Sequence, residues 1–364
     1  MSSIRVLYDG WPLCREPNSP AALHLLALLA YLPETIQPVF AFPEAPPTLP
    51  ARVQLYQQDT PVHARLQWEQ QILPDVRQRL GADLLHLTTE TASLLNGTRT
   101  LISPTQPQEF DEPRGVAGGG LITRLRGALA AGGTARVQGV LWPSDLPPRP
   151  NQAIISLPPM VHPDFVPNES PETLFIPVEV PETYVLYHGP EDEASVHRAL
   201  ASWTWIAGPI GQEFPLVMVG LPETSQARVR KLAEEFRIAD TIRLLPALPT
   251  PSIPALYQRA AVVFHPARVS AWGGALRHGL ACGRPVVAAE TVWASAMVGP
   301  AAILVEPDDT RRLGASVIGI IVKEDLSARL QEAARERSES WRNTDWGEKL
   351  AEVYTHFVNK VGSF

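Results

Sequence analysis

The sequence predicts an α/β chain of two domains, each built on a parallel sheet, and three observations carry that reading. Residues 261–307 read as a strand (Ala261–His265), a glycine-containing loop, a short helix, a strand (Pro285–Ala289), a loop and a third strand (Ala301–Glu306). The chain has 364 residues, more than one core comfortably serves. Short apolar runs alternate with helical stretches through both halves, the pattern of strand–helix–strand units joined in parallel. Within the 261–307 unit, Gly283 stands where a helix C-cap favours a residue free to take positive φ, with Pro285 just beyond it. Gly273-Gly274 precedes the helix, so backbone N–H groups there can face an anion at close range.

Composition narrows the function classes. Hydrophobic content of 45% and charged content of 19% suit a soluble globular protein. A net charge of −7 argues against nucleic acid or an anionic membrane surface as partner. Cys14 and Cys282 have neither a metal-ligand spacing nor a disulfide framework, which fits a reducing compartment. The first strand begins almost at once, with no apolar signal segment ahead of it, and the longest apolar helical run is too short to span a bilayer. The expectation is a soluble cytoplasmic protein with no transmembrane segment. The 37 prolines, roughly twice the ordinary share, cluster in loops and stiffen them.

In order, Ile4–Tyr8 reads as a buried parallel strand, and Asp9-Gly10 opens a loop. Ser19-Pro20 supplies an N-cap and a first-turn proline for the helix Ala21–Leu32, apolar nearly all round and therefore interior. Strands follow at Val39–Phe42, at a segment ending in His86, and at Leu101–Pro104. Gly118-Gly119-Gly120 and Gly132-Gly133 read as a loop rather than a phosphate cradle, since no strand runs into them, and Arg124 and Arg126 as a solvated helix face. Gly139–Trp142 and Ala153–Leu157 are the last strands of the first domain, with a linker at roughly 158–182. The second domain restarts at Tyr184–His188 and continues with strand Pro215–Val219, helix Thr224–Ile238, strand Ile242–Leu248 and helix Pro251–Ala260. Val229, Leu232, Ala233 and Phe236 make the inward stripe of the Thr224–Ile238 helix. Two helices fill 324–364, the second striped by Trp346, Leu350, Val353, Tyr354 and Phe357.

Ala281-Cys282-Gly283-Arg284-Pro285-Val286-Val287-Ala288, with Gly273 ahead of it, resembles the donor-binding segment of the family 4 retaining glycosyltransferases. The resemblance extends to Asp9, Pro12 and Leu13 after the first strand, to Trp68-Glu69-Gln70 and Gly81-Ala82-Asp83, and to Leu256-Tyr257. It implies a GT-B fold: two Rossmann-like, doubly wound parallel-sheet domains facing a cleft. It implies an acceptor-side domain over 1–165, a nucleotide-sugar-side domain over 166–340, and a last helix (341–364) that returns to the first. Family members transfer a sugar from a nucleotide-sugar donor such as a UDP- or GDP-sugar, without a metal.

The residues that carry that chemistry in the family are replaced here. Ser270 and His278 stand where the two glutamates belong. Pro17-Asn18-Ser19-Pro20 replaces a glycine-rich loop, which removes N–H donors and adds bulk. Ser103-Pro104 replaces a His-Asp pair. After Gly189, Pro190-Glu191-Asp192-Glu193 stands in place of the arginine, with Ser195 near the lysine position, so carboxylates sit where cations neutralise a diphosphate. The candidate donor-side residues are therefore Gly189, Ser270, Gly273, Gly274, Arg277 and His278, and no catalytic residue stands out. Arg268, Arg277 and His278 are the groups placed to compensate, Arg277 foremost, although its plainer reading is a surface-facing side chain. His197 and Arg198 are the cationic candidates nearest the diphosphate position, one helical turn on and read as facing solvent. Asp9 and His86 are the acceptor-side candidates, the plainer reading of His86 being a partly buried strand-end residue.

Two readings follow. One is a degenerate glycosyltransferase-like protein, non-catalytic or weakly active, which serves as a partner subunit of an active glycosyltransferase, as a homo-oligomer, or as a sugar- or nucleotide-binding protein. Trp142, Trp203, Trp205, Trp272 and Trp293 are its candidate platforms, each also a natural core residue. The other is an active retaining glycosyltransferase acting on a glycan or lipid acceptor.

Overall fold

A computed structural model describes residues 3–59, 61–89, 92–94, 99–106, 132, 137–148, 153–168, 170, 174–342 and 345–361. Gly118–Gly120, Arg124, Arg126 and Gly133 lie outside the described residues.

The first sheet comprises β1 (Ile4–Asp9), β2 (Ile36–Phe42), β3 (Gln54–Gln57), β4 (Leu84–Leu87), β5 (Thr100–Ile102), β6 (Gly139–Pro143) and β7 (Ile154–Leu157). Its order is β3-β2-β1-β4-β5-β6-β7, parallel throughout. The second comprises β8 (Val185–His188), β9 (Leu216–Val219), β10 (Ile242–Leu244), β11 (Val262–His265), β12 (Val286–Ala289) and β13 (Ala302–Val305), in the order β10-β9-β8-β11-β12-β13, again parallel. Most central strands are buried on both faces, as parallel sheets covered by helices require. Strand order reverses between β1 and β4 and between β8 and β11, so each sheet opens a crevice at those carboxyl ends.

The helices that shape the crevices are α1 (Trp11–Arg15), α2 (Pro20–Tyr31), α3 (Leu73–Arg79), α4 (Glu193–Ile210), α5 (Glu223–Glu235), α6 (Ile253–Arg259), α7 (Ala275–Ala281), α8 (Val292–Val298), α9 (Thr310–Val322), α10 (Glu324–Glu339) and α11 (Trp346–Val361). Ser19 caps α2 by accepting a hydrogen bond from the Ala22 amide. Gly283 takes φ +66° just past α7, the conformation its position calls for. Among the described residues, no helix is long and apolar enough to cross a membrane.

Three local expectations change. The loop expected after Ala289 contains α8, capped by the Thr291 side chain accepting from the Ala294 amide at 3.0 Å. The strand expected over Ile242–Leu248 stops at Leu244, because Pro246 has no N–H to continue the ladder. The polar edge strand β3 (QLYQ) carries no apolar pattern to announce it.

Alternation within the strands divides the apolar side chains. Leu7, Val39 and Ala41 join an outer core under α3, whereas Val6, Tyr8, Phe40 and Phe42 face the second domain's side. There they share one continuous core with Leu186, Val263, Trp272 and Leu276 of the second sheet and its helices. A third core, from Val185 to Leu330, lies on the far face of the second sheet. Helix α11 packs on the first sheet: the Trp346 indole N–H donates to the Pro158 carbonyl at 2.8 Å, and the Tyr354 and Tyr8 hydroxyls share a hydrogen bond of 2.8 Å. A Cβ at Gly347 would run into the Tyr31 carbonyl, so glycine is what lets α11 approach so closely.

Candidate functional site

A cleft of about 580 Å³ opens between the carboxyl ends of the two sheets. One wall is the Arg15–Ala21 loop of the first domain; the other is Gly189–Asp192, Gly220–Pro222 and the Arg268–Ala275 loop of the second. Its floor holds His188 at the end of β8 and His265 at the end of β11, the strands that flank the reversal in the second sheet.

Both imidazoles are neutral in this setting. His188 Nε2–H donates to the Asn18 carbonyl at 2.6 Å, and its Nδ1 accepts from the Tyr257 hydroxyl at 2.9 Å. Burial pushes its pKa down to about 4. His265 Nε2–H donates to the Arg268 carbonyl at 2.9 Å, leaving Nδ1 buried without a partner, and burial again lowers the pKa to about 4. Neither residue stands out in the sequence as functional; the signal that marks them is their position as the last residues of the two strands beside the reversal.

Among the described residues, the arginines of the cleft are all engaged. Arg65 lies between Glu16 at 2.5 Å and Glu69 at 2.6 Å. Arg15 pairs with Glu44 at 2.8 Å. Arg268 stands 3.8 Å from Asp192, whose side chain also caps α4 by accepting from the Ser195 amide at 3.0 Å. Glu191, across from Glu16, has its pKa raised by burial and then by the Glu16 charge. Glu193, in the first turn of α4, lies off the cleft lining. Of the two cationic candidates on α4, His197 packs edge-on against Phe236, and Arg198 reaches the Pro266 carbonyl at 3.3 Å.

Several sequence candidates lie elsewhere than expected. Arg277, placed near the start of α7 as a compensating cation, is fully buried and forks onto Asp145 of the first domain at 2.8 and 2.9 Å. Its guanidinium also lies over the Trp341 ring at 5.1 Å. It has no open face left for an anion, because Asp145 follows β6 and meets α7 across the domain seam. His278 is buried and stacked on Phe165 at 4.0 Å, one side of α7 away from the cleft. Burial lowers its pKa well below the ordinary value.

The acceptor-side pair is buried too. Asp9 sits under Trp11, accepting from the Trp11 amide at 2.9 Å and the Trp68 indole at 2.7 Å. Burial raises its pKa to about 6 against the pull of Arg65. His86 is fully buried, bound to Tyr354 at 2.6 Å and Ser103 at 2.7 Å, with its pKa lowered to about 3 by burial. Both are inside the fold rather than on the cleft. Of the tryptophans, Trp142, Trp203, Trp272 and Trp293 are core residues, while Trp205 is exposed with Arg311 over its ring.

Gly189, Ser270, Gly273 and Gly274 do come together on the cleft. Two of them also belong to the seam between the domains. The Ser270 hydroxyl bonds the carbonyl of Thr105 in the first domain and that of Trp272 at 2.7 Å. Gly273, at φ +64°, lies where any Cβ would strike the Pro20 carbonyl at the start of α2. The Pro17–Pro20 loop is tied down as well. Asn18 exchanges two hydrogen bonds with the Leu248 backbone, at 2.7 and 2.8 Å, and Thr250 donates to the Pro17 carbonyl at 2.8 Å. The segment that stands in place of a glycine-rich loop thus binds the opposite domain.

Comparison with known proteins agrees with this architecture. Residues 182–337 match the family model of Glycosyl transferases group 1. The chain is 31% identical over 132 residues to a D-inositol 3-phosphate glycosyltransferase of Thermobispora bispora, covering 36% of this chain and 31% of that protein. It is 32% identical over 180 residues to the Acidothermus cellulolyticus protein of the same name, covering 46% of this chain and 40% of the relative. The match therefore spans less than half the length of these curated relatives. Among solved structures, sucrose-phosphate synthase from Thermosynechococcus elongatus superposes with a TM-score of 0.72 at 16% identity, over 98% of this chain and 100% of that one. Anabaena HepE, solved in complex with UDP and glucose, gives 0.69 at 15% identity, over 97% and 99%. At such identities the likeness is one of fold, the GT-B arrangement of two parallel-sheet domains.

Proposed function

Starting from a chain whose second domain belongs to the glycosyl transferases group 1 family, we propose that it works as a non-catalytic or weakly active member, binding a sugar or nucleotide or serving as partner subunit to an active glycosyltransferase. The observation that carries this is the fate of the cations. Transfer from a nucleotide sugar without a metal requires positive side chains or helix N-termini aimed at the departing diphosphate. Here Arg277 is spent on Asp145, and Arg15, Arg65 and Arg268 each face a carboxylate. A diphosphate brought into the cleft would meet Glu16, Glu191 and Asp192 as well. Losing even one charged contact to the transition state commonly costs about 10²–10³ in rate.

An active retaining glycosyltransferase is the second reading, favoured by the bare presence of Arg15, Arg65 and Arg268 on the cleft. It requires those side chains to leave their carboxylates when donor enters. Calorimetric titration of the full chain with UDP- and GDP-sugars, followed by an assay for released nucleotide, separates the two. The first reading expects weak or no binding of these donors and little or no release of nucleotide. Micromolar binding with nucleotide release overturns it.

A further inference from the structure

The cleft has a ligand-sized volume at the position where open α/β sheets bind ligands, yet the charges of its described lining residues cancel. Its lining carries Arg15, Arg65 and Arg268 against Glu16, Glu191 and Asp192, with both histidines neutral. A volume of about 580 Å³ falls in the range of small-molecule sites. An anion gains little there, since each guanidinium already faces a carboxylate and the anion adds repulsion from the others. A hydroxyl group is a different case. It both donates and accepts, so it can take a hydrogen bond from a guanidinium and give one to the neighbouring carboxylate without separating the pair. Adjacent hydroxyls on a sugar ring repeat that pattern, and the Arg65–Glu16 and Arg268–Asp192 pairs offer it from opposite walls. His265 lies on the floor, its Nδ1 buried and without a partner among the described residues. The cleft also has Gly189, where any Cβ would collide with the Tyr187 ring, leaving the lining flat.

From this we infer that the cleft is a receptor site for an unphosphorylated neutral sugar, held through its hydroxyls by the Arg65–Glu16 and Arg268–Asp192 pairs. The inference rests on the non-catalytic reading and names its ligand class: a mono- or disaccharide that carries no nucleotide. Closure of the seam supports it, because Asn18, Ser270 and Gly273 fix the two walls relative to one another and so preorganise the paired groups.

The test uses the full chain and a panel of methyl glucoside, methyl mannoside, N-acetylglucosamine and maltose, with UDP and inorganic pyrophosphate alongside. Saturation-transfer NMR detects binding, and calorimetry ranks it. At least one neutral sugar is expected to bind more tightly than either phosphorylated probe. The double variant Glu191→Gln, Asp192→Asn removes two charges, while asparagine still caps α4. It is expected to lose about tenfold in sugar affinity, the scale of one charge-assisted hydrogen bond, and to gain affinity for pyrophosphate. A second variant, Glu16→Gln, lies on the other wall and is expected to weaken the sugar similarly, which guards against a misfolded first variant. Silence from every sugar, or sugar binding unmoved in both variants, overturns the inference and leaves the non-catalytic reading standing. Release of nucleotide from a UDP-sugar overturns that reading itself, whatever the free sugars do.

Discussion

Replacing Arg277 by methionine separates a structural arginine from a donor-binding one. In the fold its guanidinium makes two short bonds to Asp145, at 2.8 and 2.9 Å, and one to the Ala271 carbonyl at 3.2 Å. It is fully buried, and the Asp145 side chain is 13% exposed, so water replaces little of what is lost. Removing one partner of such a pair typically costs about 3–5 kcal/mol, because the other charge stays behind unpaired. Arg337, 3.6 Å from Asp145, offsets part of this, which puts the expected loss near the lower end. Urea unfolding of Arg277→Met should therefore lie about 3 kcal/mol below wild type, with the thermal midpoint lowered by roughly 5 °C or more. Adding Asp145→Leu should restore much of the loss, since an apolar pair of similar volume is often as stable as the ions. The behaviour toward UDP-sugars should not change in either variant beyond what stability explains. A variant as stable as wild type that had lost nucleotide-sugar binding would refute this, and would return Arg277 to the donor site.

Acid should unfold the protein early. His24, His86, His188, His265 and His278 are buried with lowered pKa values, so the unfolded chain takes up protons that the folded chain refuses once pH falls below about 6.5. At pH 4.5 His86, His188 and His265 each cost about 2.5 kcal/mol, on the order of 8 kcal/mol together, and His24 and His278 add in the same direction; that is comparable to the whole stability of a typical protein. Circular dichroism against pH checks it, and a chain still folded at pH 4 would sink it. Asp9 acts with the opposite sign: raised to about 6, it favours the fold below pH 4 and loses that advantage as pH rises through 6. The stability difference between Asp9→Asn and wild type should therefore grow by up to about 3 kcal/mol in favour of the variant between pH 4 and 7 and then level off, measured by urea unfolding. Asn18→Ala removes two buried bonds to Leu248 and should cost about 2–3 kcal/mol. It should also loosen the seam, read as faster proteolysis between the domains; unchanged cleavage would mean that Asn18 does not hold the domains together.

Most of the framework was legible because the period of each element is written in its own residues. β1, β8 and β11 are apolar runs bounded by glycine or proline, and the Ala-Cys-Gly-x-Pro segment places a helix end and the next strand within a few residues. α8 and β3 were not legible. The first is only seven residues long and the second is polar on an exposed edge, so neither has a hydrophobic period to read. At the site, Gly273-Gly274 was legible from its place between a strand and a helix, and Gly189 and Ser270 from the family resemblance. Arg277, His278 and Asp9 were candidates for the cleft and are buried, and His86 follows its plainer reading as a buried strand-end residue; the surroundings of all four are set by residues far away in the chain. Asp145 lies 132 positions from Arg277, and Tyr354 lies 268 from His86. No local pattern carries such a contact.

The seam and the cleft are parts of one arrangement. A GT-B enzyme has to admit donor and release nucleotide, which asks the two domains to move apart between turnovers. Here residues that line the cleft bind the opposite domain. Ser270 bonds Thr105, Gly273 lies against Pro20, and the Pro17–Pro20 loop holds Leu248 and Thr250. Trp272 adds its indole bond to the Leu141 carbonyl at 3.1 Å and its stacking on His24 at 5.0 Å. Opening the domains would break these bonds together and expose a core that runs through both sheets. On the proposed reading, Ser270 and the Pro17–Pro20 loop both depart from the family pattern and both hold the seam, while the carboxylates after Gly189 oppose a diphosphate. A chain that no longer turns over a nucleotide has no need to open, and a fixed cleft with balanced charges suits a ligand that enters and leaves without chemistry.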